Sequence, residues 1–100
     1  MIREKMEYEF LGFDPKYEIK NMIAALAERV YFSAPGDSAI KWIFEKSQGM
    51  VKASCRIASM AGIFSAEATA KSPSFAIQKL EKRIHSQLNA WKVKRFNRPL

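Results

Sequence analysis

The 100-residue sequence predicts an α+β fold: a two-layer β-α-β-β-β-α arrangement with a four-stranded sheet and both helices packed on one face. Three observations predict it. The apolar period is two in four short stretches and between three and four in two longer ones. Each long stretch is preceded by a proline. Polar residues take every second place in the strand-like stretches, which leaves one sheet face in water and the other for the helices.

Residues 2 to 10 alternate, with Ile2, Met6, Tyr8 and Phe10 on one side and Arg3, Lys5, Glu7 and Glu9 on the other. This predicts a strand with one buried face. Asp14-Pro15 reads as an N-cap followed by a first-turn proline, opening a helix with Ile19, Met22, Ile23, Leu26 and Val30 along its apolar side. That helix ends near Phe32, because Ala34-Pro35-Gly36-Asp37 opposes continuation. Ile40, Trp42 and Phe44, then Val51, Ala53, Cys55 and Ile57, then Phe64, Ala66, Ala68 and Ala70 form three further alternating runs. The connections at Ser47-Gln48-Gly49 and Met60-Ala61-Gly62 suit tight turns, which makes a meander. Ser72-Pro73 repeats the cap-and-proline device, and Ile77, Leu80, Ile84, Leu88 and Trp91 make one seam of the last helix. Continuing its wheel places Arg95 on that seam, so docking is expected to end near Trp91 to Val93, with the chain beyond fraying. Residues 1–96 are read as one domain and 97–100 as a basic tail.

Composition excludes several classes. A single Cys55 cannot form an internal disulfide, and the longest nearly uncharged stretch, 53–70, is broken by Arg56 and Glu67 and falls short of a membrane span. No secretory leader is recognisable, so a reducing cytosol is the expectation. Metal, nucleotide and hydrolase signatures are all missing, which argues against an enzyme, a cofactor or a small-molecule substrate. Cys55 and His85 are read as structural, and Glu7, Glu9 and Glu67 as parts of a solvated, cross-strand-paired sheet surface.

Charge is the informative feature. Of the net +7, residues 79–98 contribute +6, seven Lys/Arg against one acid, whereas residues 1–78 contribute +1, ten against nine. A solvated face ordinarily mixes signs, so this points to a polyanion held through its phosphates. Lys79, Lys82, Arg83, Lys92, Lys94, Arg95 and Arg98 are the candidate contacts, with Lys79, Lys82 and Arg83 expected to be held rigidly outward. Trp42, Phe44 and Trp91 all fit core positions, so backbone and shape recognition is expected rather than base stacking.

The run Phe75-Ala76-Ile77-Gln78-Lys79-Leu80-Glu81-Lys82-Arg83-Ile84-His85-Ser86-Gln87-Leu88, with Lys92 and Lys94 after it, resembles the short ribosome hibernation promoting factors, also called sigma-54 modulation proteins. The order of elements over roughly residues 5–95 is similar too. The resemblance implies a cytoplasmic, non-enzymatic protein that binds 16S rRNA of the small ribosomal subunit near the decoding centre and modulates translation in stasis, monomeric when free. It implies contacts from Arg83, Lys92 and Lys94, and from Lys20 on the first helix. Gln78 stands where the family has Asp, Ser86 and Ala90 where cations are common, and Ala25 and Glu28 where the first helix is usually more basic, so that helix offers less positive charge than is usual there. Two other readings stand beside it. One is a double-stranded-RNA-binding module, which would carry lysines where this chain has Ser72-Pro73-Ser74-Phe75. The other is an interaction or dimerisation module using the exposed sheet face, which solvent exposure of Tyr8 or Trp42 would favour.

Overall fold

The structure is a computed structural model and describes residues 6–96. In chain order the elements are β1 (Met6–Leu11), α1 (Tyr17–Ser33), β2 (Ala39–Ser47), β3 (Met50–Ser59), β4 (Gly62–Ala70) and α2 (Pro73–Phe96). One four-stranded sheet has the order β1-β2-β3-β4, with β1 parallel to β2 and the other neighbours antiparallel. This is the predicted α+β architecture, with the helices on one face. Alternation along β2 and β3 puts Ile40, Trp42, Phe44, Val51, Ala53, Cys55 and Ile57 in the core against Ile23, Leu26 and Val30 of α1 and Ile77, Leu80, Ile84 and Leu88 of α2. The indole of fully buried Trp42 keeps its donor satisfied, Nε1 donating to Met6 Sδ at 2.9 Å.

The alanine-rich β4 is held as a strand by its register, Val51↔Ala70 through Ser59↔Gly62, despite the low strand propensity of alanine. Its small side chains let α2 come close, and Ala68 and Ala70 are buried beneath that helix. The β2–β3 turn is a two-residue loop, Gln48-Gly49, with φ of 53° and 76°, the type I′ geometry whose twist suits a hairpin.

Two expectations need correction. β1 does not bury one face: Tyr8 is 46% and Phe10 39% exposed, although Phe10 stacks on Phe44 at 5.4 Å. β1 is one of the two edge strands, and α2 lies over the opposite side of the sheet, against β4 and β3. Nor does Asp14 cap α1. Lys16 holds the N-cap position in an extended conformation without a side-chain cap, and the first turn closes with Lys20 N–H donating to Lys16 O at 2.9 Å. The proline forces Asp14 to be extended, and the chain is still crossing between layers at Lys16. The connection also needs Gly12: its φ is +62°, and a Cβ there would lie 2.8 Å from the carbonyl oxygen of Lys46.

At the second helix the same sequence device works as read. Ser72 Oγ accepts from the N–H of Phe75 at 3.2 Å, a cap worth about 1 kcal/mol, and Pro73 sits in the first helical position. Trp91 meets Phe64 edge-on at 6.0 Å and Val93 is 57% exposed, so docking does end between them. The helix itself continues to Phe96. Among the described residues no helix is long and apolar enough to cross a membrane.

Candidate nucleic-acid interface

On α2 the buried seam of Ala76, Ile77, Leu80, Ile84 and Leu88 fixes where every other side chain points. At ~100° per residue the cations divide among three directions. Lys79, Arg83 and Lys94 fall on the flank beside β4, Lys82 on the outer crest, and Lys92 on the flank beside α1. The sequence treated them as one outward group; the helix spreads them around more than half its circumference.

The β4 flank has a structural task. β4 is an edge strand, and its outer backbone groups need partners. Lys79 Nζ donates to Thr69 O at 3.4 Å, and Arg83 Nη1 donates to Glu67 O at 2.5 Å. Gln87 completes the series, its Oε1 accepting from Ser65 N–H at 3.1 Å and its Nε2 donating to Ser65 O. Helix residues four apart thus meet strand residues two apart, running in opposite directions. Lys79 and Arg83 thus reach toward the sheet edge rather than away from it. Arg83 retains further guanidinium donors for an outside partner. Gln87 was not among the sequence candidates, since its role depends on which strand lies at the edge.

Beside this clamp, Lys82, Arg83, Ser86 and Gln87 line a shallow open depression with Ala66 at its floor. Two cations and a hydroxyl face solvent together there, a donor set suited to a phosphate oxygen. Lys94 is exposed and Lys92 half-buried. The side chain of Arg95 and the whole of Arg98 lie outside the described residues.

Lys20 does not join this group. Arg29 marks the side of α1 that faces α2, because its Nε and Nη2 donate to Glu81 Oε2 at 2.5 Å and Oε1 at 2.8 Å. Lys20, nine residues earlier, lies about 180° around the helix from Arg29 and is exposed on the far flank. Arg29 also alters the balance on α2. Glu81, the single acid of that helix, is bound bidentately by Arg29 and lies 3.4 Å from His85 Nε2. The Arg29 hydrogen bonds hold the Glu81 carboxyl below its ordinary range against the opposing effect of partial burial. The acid's charge is therefore neutralised between the helices.

The remaining candidates are structural. Burial pushes the Cys55 thiol up to about 12. On the open sheet face Lys41 pairs with Glu9 at 3.6 Å and Lys52 with Glu67 at 3.3 Å, the cross-strand pairing expected of a solvated surface. Glu7 and Glu9 lie on β1 and Glu67 on β4, three strand spacings or roughly 14 Å apart, so the three do not converge. Among the described residues no cluster of three His, Cys, Asp or Glu could hold a metal.

A parallel β1–β2 pair followed by an antiparallel meander, with two helices on one face and the second clamped along the far edge, defines the class as a βαβββα sandwich. Within that class the chain is similar to the N-terminal domain of Thermus thermophilus Protein Y, with TM-score 0.72 at 13% identity over 85% of this chain and 94% of that one. It is equally similar to a ribosomal subunit interface protein from Coxiella burnetii, with TM-score 0.72 at 14% identity over 89% and 98%. The likeness is one of fold, the fold that the resemblance to short hibernation factors implied. No family model and no curated protein matches the sequence.

Proposed function

We propose that this chain is a non-enzymatic, cytoplasmic, ribosome-associated protein that binds 16S rRNA near the decoding centre through α2 and the basic segment after it, and modulates translation in stasis. The fold likeness supports ribosome association, since one neighbour is by name a ribosomal subunit interface protein and the likeness spans nearly all of both neighbours. The observation that carries RNA binding is the uncompensated charge of α2. Its one acid is sequestered by Arg29, leaving the helix without a free carboxylate to oppose a phosphate. Lys82, Lys92 and Lys94 are the primary contacts in this reading; Arg83 adds a second donor set beside Lys82. Lys20, on the far side of α1, is a separate contact in this reading.

Co-sedimentation with isolated small subunits at about 50 and 200 mM salt tests the proposal, because three or four phosphate contacts make affinity fall steeply with salt. Binding at low salt that weakens with salt, and its loss in the Lys82→Glu, Lys92→Glu, Lys94→Glu triple variant, is expected. Equal sedimentation of the triple variant, or no binding by the unaltered chain at low salt, overturns it. A preference for naked duplex RNA would transfer the assignment to the double-stranded-RNA-binding reading, which the exposed Phe75 at the start of α2 disfavours.

A further inference from the structure

On the open face of the sheet one cation departs from the pairing of its neighbours. The register sets Arg56 on β3 directly between Lys41 on β2 and Ser65 on β4. Like charges directly opposite one another repel, and an acid in the next row ordinarily relieves them. Here the acids of this face are engaged elsewhere, Glu67 lying 3.3 Å from Lys52 and Glu9 3.6 Å from Lys41. Glu7, in the same row, is two strand spacings or roughly 10 Å from Arg56. Among the described residues the Arg56 guanidinium has no ion-pair or hydrogen-bond partner.

This unpartnered cation borders a shallow open depression with Lys41, Ser54 and Ser65, and Ile43 and Glu67 beside them. The depression adjoins the one on the α2 side, since Ala66 borders both. A line of polar groups joins the two around the β4 edge. Gln87 of α2 is bonded to the backbone of Ser65, the Ser65 hydroxyl stands on the open face, and Arg56 and then Lys41 follow it across the sheet.

We infer that the open sheet face holds a second phosphate of the RNA strand bound at α2, with Arg56 as its main donor, the strand passing round the β4 edge. This rests on the reading of α2 as an RNA-binding helix. Arg56 supplies a fork of donors, Lys41 a second charge, and Ser54 and Ser65 hydroxyl groups. Lys41 is free to turn, because its pair with Glu9 joins two half-exposed side chains and contributes little. A free anion has no enclosing wall here and meets Glu67 at the rim. A phosphate already tethered through α2 arrives at high effective concentration, which selects a strand over a small ligand. The described strands carry no aromatic ring on this face, so the contact is to backbone and not to bases.

Fluorescence anisotropy of a labelled oligouridylate of about 12 nucleotides, between about 50 and 200 mM salt, tests this. The Arg56→Gln, Lys41→Gln double variant should bind about fivefold or more weakly at the lower salt, with an unchanged circular dichroism spectrum. Its salt slope should be shallower by about 0.7, one phosphate contact on a single strand. A control, Lys16→Gln with Lys46→Gln, removes the same charge from exposed positions outside both depressions and should change affinity by less than about twofold. A loss no greater than the control's, displacement of the oligomer by an equal concentration of uridine monophosphate, or no binding of the oligomer by the unaltered chain would each overturn the inference. The Lys82→Glu, Lys92→Glu, Lys94→Glu variant separates it from the α2 reading. If that variant alone loses binding, the open-face contact fails and α2 stands; if the open-face variant alone loses binding, α2 fails as the primary contact.

Discussion

Replacing Gln87 with leucine removes the amide that closes the outer edge of β4. Glutamine and leucine have nearly equal helix propensity, so α2 itself is not at stake. Two hydrogen bonds are lost, one accepted from Ser65 N–H at 3.1 Å and one donated to Ser65 O. Each would be worth ~0.5–1.5 kcal/mol, and an exposed position places them at the low end, because water replaces the lost partner. The expected loss is about 1 kcal/mol, or some 4–8 °C in Tm for a domain of this size. Thermal unfolding gives the first number, and hydrogen exchange at the Ser65 amide gives a local one, with faster exchange expected once its acceptor is gone. A Gln87→Glu variant keeps an acceptor for Ser65 N–H but sets a carboxylate against Ser65 O, so its stability should fall between the two. If Gln87→Leu melts within 1 °C of the unaltered protein, as roughly 0.2 kcal/mol or less would give, and Ser65 exchanges at the same rate, the clamp contributes nothing and its geometry is incidental.

Gly12→Ala should cost about 2 kcal/mol or more in urea unfolding, since it combines a positive φ with a Cβ 2.8 Å from backbone, whereas Gly36→Ala, in open space, should be nearly neutral. The Arg29–Glu81 pair makes stability acid-sensitive. The folded carboxyl titrates below its unfolded value, so the pair's contribution is complete above the ordinary value of 4.5 and is lost as pH falls through the lower folded value. With Arg29 half-exposed that contribution is about 1 kcal/mol at most, and Glu81→Gln should flatten the stability difference between pH 7 and pH 3 by this amount. Cys55 should resist alkylation at pH 8 in native buffer and react in urea in step with unfolding; rapid labelling of the folded protein would contradict its burial.

Local chemistry was legible and long-range placement was not. Ser72-Pro73 and the Gln48-Gly49 turn act within four residues of themselves, so their sequence carries their structure. Asp14-Pro15 has the same letters as a cap, yet the helix starts later, because the path between layers depends on where the sheet lies. The alternation of β1 is real, but whether Tyr8 and Phe10 are covered depends on strand order, which the sequence pattern does not encode. The basic character of the C-terminal helix was read correctly as a count. Its direction was not, since Lys79 and Arg83 acquire carbonyl partners only when β4 becomes an edge beside α2. Arg29 gave no signal at all, as its partner Glu81 is 52 residues away.

The clamp along β4 also limits how copies of this sheet could join by strand addition. With Lys79, Arg83 and Gln87 occupying one margin, the sheet of the described residues has a single edge, β1, at which a further strand can hydrogen-bond. Growth into a fibre needs two compatible edges per copy, one to give and one to receive. The described residues offer only one, so strand pairing between copies through them must be β1 to β1 and must stop at two. Opening the α2 clamp would remove that limit, and variants such as Gln87→Leu are the ones in which to look for it.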